Sequence, residues 1–572
     1  MSTVEEKQGK TTSCIRQVGG KEQLIVNGQA VSPNAYMTYF PENNAYGDFA
    51  SAGIRLFSLS VFFGGQRINE ITGIPSFGPG IYDGEKPDYG RFDGDVARIL
   101  KADSDAMILL RVNTSLPERW EAAHPDELCF TGPDSHPERR RACFSSDIWA
   151  EETEQLLALF VSHVESAPYC NHIIGYQLAG GNTEEWFSFD QKGSVGKRAM
   201  EKYAAYLQAT GFEDTKERFY RFLSETVADR IIRFSATVKR LTRERLIVGT
   251  FFGYTSECCD REYVHHALSR VLKSPCVDFL CSPVSYYQFR KPGLYHAYML
   301  PLDSLKLHGK LYFSENDIRT HLSVPPFDLP AYQGDIWRGF DKTSTLSVLK
   351  MHFARILING HGGWWFDMWG GWYRDPDYMA LFARCEKILQ ETLEETVRPV
   401  WEAGVFLDEN AYAGIGDDRP EDRYVMKTVR QSIGLAGVPY GKFLSSDFDA
   451  AMEKFPMKAV ISVVPCTTPA SLHIREVCAD RGIPLLEITK EEAGMSPGEF
   501  RAFFREAGVH LYAEKDSVVF ANDRYLFLHA AEDGEYRLDF GEGRLWELFE
   551  EKEYPSVLRM KRGESLLFRI KK

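Results

Sequence analysis

The chain has 572 residues, of which 44% are hydrophobic and 13% aromatic, and it carries a net charge of −14. That length predicts two to four domains with large cores. The acidic balance argues against nucleic acid as a partner, because phosphate backbones are held by clustered Lys and Arg, and the short basic run ERRRAC (138–143) reads as a solvated face. No window reaches the roughly 18 apolar residues of a membrane span. The N-terminal MSTVEEKQGKTTSC lacks the apolar core of a signal peptide. A soluble, cytoplasmic protein is therefore expected, and eleven cysteines, an odd number, fit reduced thiols better than a disulfide framework. Cys258, Cys259, Cys276 and Cys281 contain no CxxC pair, so no zinc site is expected.

In chain order, eight short apolar runs alternate with longer helical patterns. The runs are 31–40, 53–61, 106–113, 172–178, 245–254, 277–287, 309–317 and 361–369. Amphipathic helices are predicted over 195–211, 218–241 and 343–360, the last ending at Asn359-Gly360 as a C-cap does. Eight strand–helix repeats predict an α/β fold of the (β/α)₈ TIM-barrel type, enlarged by insertions in the βα loops. After about residue 400 the runs 401–409, 458–465 and 482–489, with helices at 421–434, 469–481 and 496–507 between them, predict a small α/β domain. The remaining short strands and turns predict a small β-sandwich. The expected division is 1–395 for a barrel with an N-terminal β extension, 396–512 for the α/β domain and 513–572 for the sandwich.

Barrel enzymes place their chemistry at the C-terminal ends of the strands, so the residues that follow each run carry the functional reading. Strand three ends in Asn113. Strand four ends in GGNTEEW, with Asn182, Glu184 and Glu185. Strand six leads to Tyr286. Strand seven ends in SENDIRTH, with Glu315, Arg319 and His321. Strand eight gives WWFDMW, with Trp365, Asp367 and Trp369. Carboxylates thus follow strands four and seven, on opposite sides of a barrel mouth. Glycosidic cleavage requires such a pair, one neutral to protonate the leaving oxygen and one ionised. Side chains so placed can approach to roughly 5–5.5 Å, the separation of a retaining pair. Asn113, Asn182, Tyr286, Arg319, His321 and Asp367 are the candidate hydroxyl ligands. Trp365 and Trp369, which period two sets on one face, are candidate stacking platforms. Glu315 is the candidate nucleophile. For the acid/base, alternation along an extended strand lets one of Glu184 and Glu185 face the substrate. Glu185 is favoured, because the neighbouring Trp186 indole would raise its pKa, and Glu184 stays as the alternative. Cys466, after a strand of the α/β domain, lacks flanking glycines and a partner histidine and reads as structural.

With acids after strands four and seven, an aromatic strand-eight turn and the three-part layout, the chain resembles glycoside hydrolase family 42, of the large clan with acids on those two strands. The stretch LLRVN followed by LPERWEAAHPDEL resembles the family's strand-three region. The family places Asn directly before its strand-four acid, whereas here Asn182 stands two and three residues ahead of the acids. The resemblance implies a flavodoxin-like trimerisation domain, a homotrimer, no cofactor or metal, and a retaining, exo-acting enzyme for β-galactosides or other small β-linked oligosaccharides. A β-mannosidase or β-glucosidase, a transglycosidase, or a non-catalytic carbohydrate-binding barrel are the alternatives.

Overall fold

In the computed structural model, which describes residues 9–65, 80–130, 140–181, 184–187, 195–257, 260–286, 290–323, 339–416, 430–489 and 491–572, eight parallel strands close into a barrel. They are β1 (Asn34–Met37), β2 (Leu56–Phe62), β3 (Met107–Asn113), β4 (Ile173–Ala179), β5 (Ile247–Phe251), β6 (Phe279–Pro283), β7 (Leu311–Asn316) and β8 (Gly362–Phe366), each beside its sequence neighbour, with β8 closing on β1. Six lie within one of the eight apolar runs, and β2 and β4 overrun theirs by one residue. Parallel strands covered on both faces read as near-continuous apolar sequence rather than as alternation.

Aromatic rings fill the barrel interior. Phe313 stacks on Trp364 at 5.9 Å, and Phe279 meets Phe313 edge-on at 5.4 Å. Gly249 makes room for this layer, since a Cβ there would stand 2.3 Å from the Phe279 ring. An antiparallel sheet of Ser13–Val18, Lys21–Val26 and Gln29–Ala30 precedes the barrel. It ties to β5 where Ser13 N donates to Arg245 O at 2.7 Å and Ile247 N to Ser13 Oγ at 2.8 Å.

The predicted helices form at Lys197–Thr210, Lys216–Leu241 and Lys342–Asn359, the last ended by Gly360 in the left-handed region (φ 63°). Beyond the barrel, a parallel sheet orders Gly441–Leu444, Ala403–Leu407, Ala459–Val463 and Leu485–Ile488 side by side. Its edge strand, Gly441–Leu444, lies outside the predicted runs. Helices Pro469–Arg481 and Pro497–Glu506 match expectation, each opened by a capping box. Most of the helix predicted at 421–434 lies outside the described residues, and Ile433–Leu435 is a 3₁₀ turn. The final part pairs a five-stranded antiparallel sheet (Ser517–Ala521, Tyr525–Ala530, Ser565–Lys571, Arg544–Glu547, Lys552–Tyr554) with the hairpin-like pair Gly534–Arg537 and Val557–Met560.

Both later parts are bolted to the barrel by buried polar contacts. Glu409 accepts from Leu268 N at 2.6 Å and so caps a barrel helix. Lys442 N reaches Asp303 Oδ2 at 2.8 Å, and its buried Nζ reaches Tyr298 O at 2.9 Å. Ser347 Oγ and Gly563 O meet at 2.5 Å, and Arg384 Nη2 and Leu548 O at 2.7 Å. Among the described residues no helix is long and apolar enough to cross a membrane.

Candidate active site

At the centre of the C-terminal end of the barrel stands Arg111 of β3, fully buried. Arginine is almost never sealed away unless paired, and here it is paired twice. Nη2 donates to Glu315 Oε2 at 2.9 Å, Nη1 to Glu184 Oε2 at 3.3 Å, and Nε to Gln177 Oε1 at 3.3 Å. The guanidinium lies 4.8 Å from the Phe251 ring and 5.0 Å from the Trp364 ring. Neighbouring nitrogens of one cation therefore hold an acid that follows β4 and the acid near the end of β7.

The strand-four acids sit in a turn rather than on an extended strand. β4 ends at Ala179, Gly181 takes φ 75°, and Glu184 and Trp186 are both left-handed at φ 67° and 62°. Non-glycine residues there cost of order 1–3 kcal/mol and persist only when the surroundings fix them. The Trp186 indole does so: Nε1 donates to Thr250 Oγ1 at 2.9 Å, and the ring packs against Phe144 at 5.6 Å and Phe234 at 6.3 Å. A Cβ on Gly180 would stand 2.7 Å from that ring. Tyr254 meets Glu185, its OH donating to Oε1 at 3.0 Å. His265 fixes the backbone here, its Nε2 2.7 Å from Glu185 O while Nδ1 accepts from Gly253 N at 3.2 Å. With Nδ1 accepting, Nε2 carries the proton, and burial holds the imidazole neutral, its pKa lowered to about 3.

The two neighbours differ in access. Glu184 has no exposed surface, and its Oε2 takes the Tyr39 hydroxyl as well as Arg111. Glu185 and Glu315 keep 8% and 6% of their surface open. Burial raises the pKa of Glu184 and of Glu315, with the Arg111 charge opposing it in each. The Tyr254 and Tyr286 phenols are pushed well up by burial and then by the Glu185 charge, and Glu315 acts on both, so the two open acids share this end of the barrel.

On β8 the facing of the tryptophans is opposite to expectation. Trp364 points inward and donates Nε1 to Glu315 Oε2 at 3.1 Å. Trp365 is fully buried on the outer face, against Phe382 of the helix layer at 4.6 Å, and cannot serve as a platform. Asp367 is likewise consumed by the protein. It accepts from Tyr36 OH at 2.8 Å, Gly371 N at 3.0 Å and Trp372 N at 2.8 Å, stapling the turn after β8, and burial raises its pKa to about 6. Trp369 packs near Phe40 at 6.0 Å with 6% of its surface exposed.

The other candidates divide. Asn113 is buried at the end of β3, its Oδ1 taken by Ser115 N at 2.9 Å. Tyr286 is half-buried beneath Arg290, 4.1 Å over its ring, on the side of the acids. Arg319 pairs with buried Asp317, which also takes Arg290 Nη1 at 2.9 Å, and lies 5.3 Å over the Trp372 ring. His321 turns to the surface, to Tyr378 OH at 2.6 Å, and not to the acid pair. Asn182, Cys258 and Cys259 lie outside the described residues. Among the described residues no three His, Cys, Asp or Glu side chains are grouped to hold a metal ion. Cys466 is half-buried, with its thiol 3.4 Å from Ala411 O.

Sequence reasoning missed Arg111, Tyr39, Tyr254, His265 and Trp364. Arg111 had a visible signal, a lone charge inside the apolar run AMILLRVN.

The chain superposes on solved β-galactosidases over nearly its whole length. That from Rahnella sp. R3 is 10% identical, with 92% of this chain and 95% of that chain covered and a TM-score of 0.61. The enzyme from Marinomonas ef1 is 11% identical, with 94% and 100% covered and a TM-score of 0.60. A family 42 β-galactosidase from G. stearothermophilus is 11% identical, with 95% and 99% covered and a TM-score of 0.59. No family model and no curated protein sequence matches. At these identities the likeness is one of fold: this chain has the three-part barrel fold seen in family 42 β-galactosidases.

Proposed function

We propose that this fold serves a retaining, exo-acting glycoside hydrolase for small β-linked glycosides. β-Galactosides are the first substrate class, the one named for the structural neighbours. The observation that carries this reading is the convergence of two partly open carboxylates, Glu185 after β4 and Glu315 on β7, at the C-terminal end of the barrel. Glu315 is the nucleophile. Arg111 and Trp364 donate to the same oxygen, and donors onto the charged form favour ionisation. Glu185 is the acid/base, because Glu184 is sealed behind Arg111 and Tyr39 while Glu185 retains an open edge.

The reaction is a double displacement. Glu315 attacks the anomeric carbon, the bond to the leaving oxygen breaks, and Glu185 transfers its proton to that oxygen. Water then attacks the glycosyl-enzyme, Glu185 takes the water proton, and Glu315 leaves as carboxylate.

Hydrolysis of a panel of p-nitrophenyl glycosides by the wild type and by Glu185→Ala, Glu184→Ala and Glu315→Ala, with and without azide, tests the assignment. Cleavage of a β-glycoside, loss in Glu315→Ala, and azide rescue of Glu185→Ala to a β-glycosyl azide are expected. Rescue of Glu184→Ala instead transfers the acid/base role to Glu184. A wild type that cleaves no glycoside removes the hydrolase reading and leaves a binding barrel.

A further inference from the structure

The barrel centre holds three acids, and the double displacement uses two of them. Glu184 remains, in a strained backbone position and with no exposed surface. Its Oε2 receives the Tyr39 hydroxyl and Arg111 Nη1, and its Oε1 is buried with no hydrogen-bond partner among the described residues. The groups that face it are Tyr39 from the end of β1, Arg111 from β3, and Glu315 of β7 across the guanidinium. Its neighbour Glu185 is turned to Tyr254.

One guanidinium therefore stands between two carboxyl groups inside an aromatic shell. If both were ionised, the cluster would carry a net negative charge out of reach of water, with one oxygen lacking any donor, an arrangement burial strongly opposes. A single proton removes the imbalance. Glu315 is the poorer host for it, because Arg111 at 2.9 Å and Trp364 at 3.1 Å both donate to it and its edge is open. Glu184 also takes two donors on Oε2, Tyr39 and Arg111, but its Arg111 contact is the longer at 3.3 Å and it has no exposed surface, so it is the better host.

We propose that Glu184 is held as the neutral carboxylic acid, its proton on Oε1, so that Arg111 acts as counter-ion to Glu315 alone. Glu184 is on this view a positioning residue: it holds Arg111 without competing for its charge. The role of Glu315 rests on the reading of the preceding section, whereas the proton on Glu184 does not. Burial raises the pKa of Glu184 as it does that of Glu315, so the choice between them rests on the contacts.

Infrared difference spectra at neutral pH, in H₂O and D₂O, test this without turnover. The wild type minus Glu184→Gln spectrum is expected to show a protonated-carboxyl stretch that shifts in D₂O and that weakens in Glu315→Gln, where Arg111 is left with Glu184 as its carboxyl partner. Tyr39→Phe, which removes a donor from Oε2, is expected to move that band to higher frequency, a readout that stands even where Glu184→Gln fails to fold. No such band in the wild type, or a band that Tyr39→Phe leaves in place, overturns the proposal. Where a glycoside is cleaved, the acid limb of the kcat/KM profile gives a second reading. It stays at the same pH in Glu184→Gln if Glu184 is neutral, and moves to lower pH if Glu184 is an anion sharing Arg111. A protein that cleaves nothing yet shows the band refutes the hydrolase reading and leaves the buried proton standing.

Discussion

Replacing Arg111 by methionine keeps an unbranched side chain among the rings and removes the one cation that contacts both Glu184 and Glu315. At a separation of about 4 Å and an effective dielectric of about 20, one such pair is worth roughly 4 kcal/mol. Breaking a buried pair from one side typically costs about 3–5 kcal/mol, because the abandoned charge stays buried. A loss of that size is expected at pH 7 in urea unfolding followed by tryptophan fluorescence. The dependence on pH is the sharper readout. Arg111 opposes the rise that burial imposes on the Glu315 pKa, so its removal raises that pKa further. A carboxyl whose folded pKa lies above its unfolded value stabilises most when protonated, below the unfolded value, and that contribution is lost as pH rises through the folded value. The variant should therefore approach the wild type near pH 4 and fall away from it toward pH 7. A loss below about 1 kcal/mol, equal at both pH values, would refute the claim that Arg111 is the charge partner of buried Glu315.

Two further predictions separate the faces of β8. Trp364→Phe removes the 3.1 Å donor to Glu315; a hydrogen bond to a charged group is worth about 1.5–3 kcal/mol, so kcat/KM on a cleaved glycoside should fall roughly ten- to hundred-fold, whereas Trp365→Phe should act on stability alone. Asp367→Asn should abolish a pH dependence of stability: with its folded pKa raised to about 6 from the ordinary 3.8, the wild type loses roughly 3 kcal/mol from this group as pH rises across that interval, and an unfolding series from pH 4 to 6.5 should show that slope flattened in the variant.

The barrel was legible because each of its strands is buried on both faces and so stands out as an unbroken apolar run. The same property hid the facing of β8. In HGGWWFDMW both faces are apolar, so period two carries no phase, and the tryptophan beside Glu315 proved to be Trp364 rather than Trp365. Glu315 was readable because its carboxylate ends such a run. The orientation of Glu184 and Glu185 was not, because left-handed Glu184 and Trp186 suspend strand alternation, and nothing in ordinary propensity places non-glycine residues there. Tyr39 stands 145 residues from Glu184 and Tyr254 69 from Glu185 in the sequence, and only the fold brings them together.

The helix Lys342–Asn359 is buried along almost all of its length, at Thr345, Val348, Leu349 and every position from Met351 to Ile358. In a free-standing barrel an outer helix shows one face to water. Here the other face is covered by the C-terminal sheet, through Asn522 Nδ2 to Ile358 O at 3.0 Å and the Ser347–Gly563 contact. The eight-stranded unit is consequently not portable. Excised near residue 395, it would carry an apolar stripe into solvent and associate with whatever could cover it, so any transplant or redesign of this site has to move the whole three-part chain.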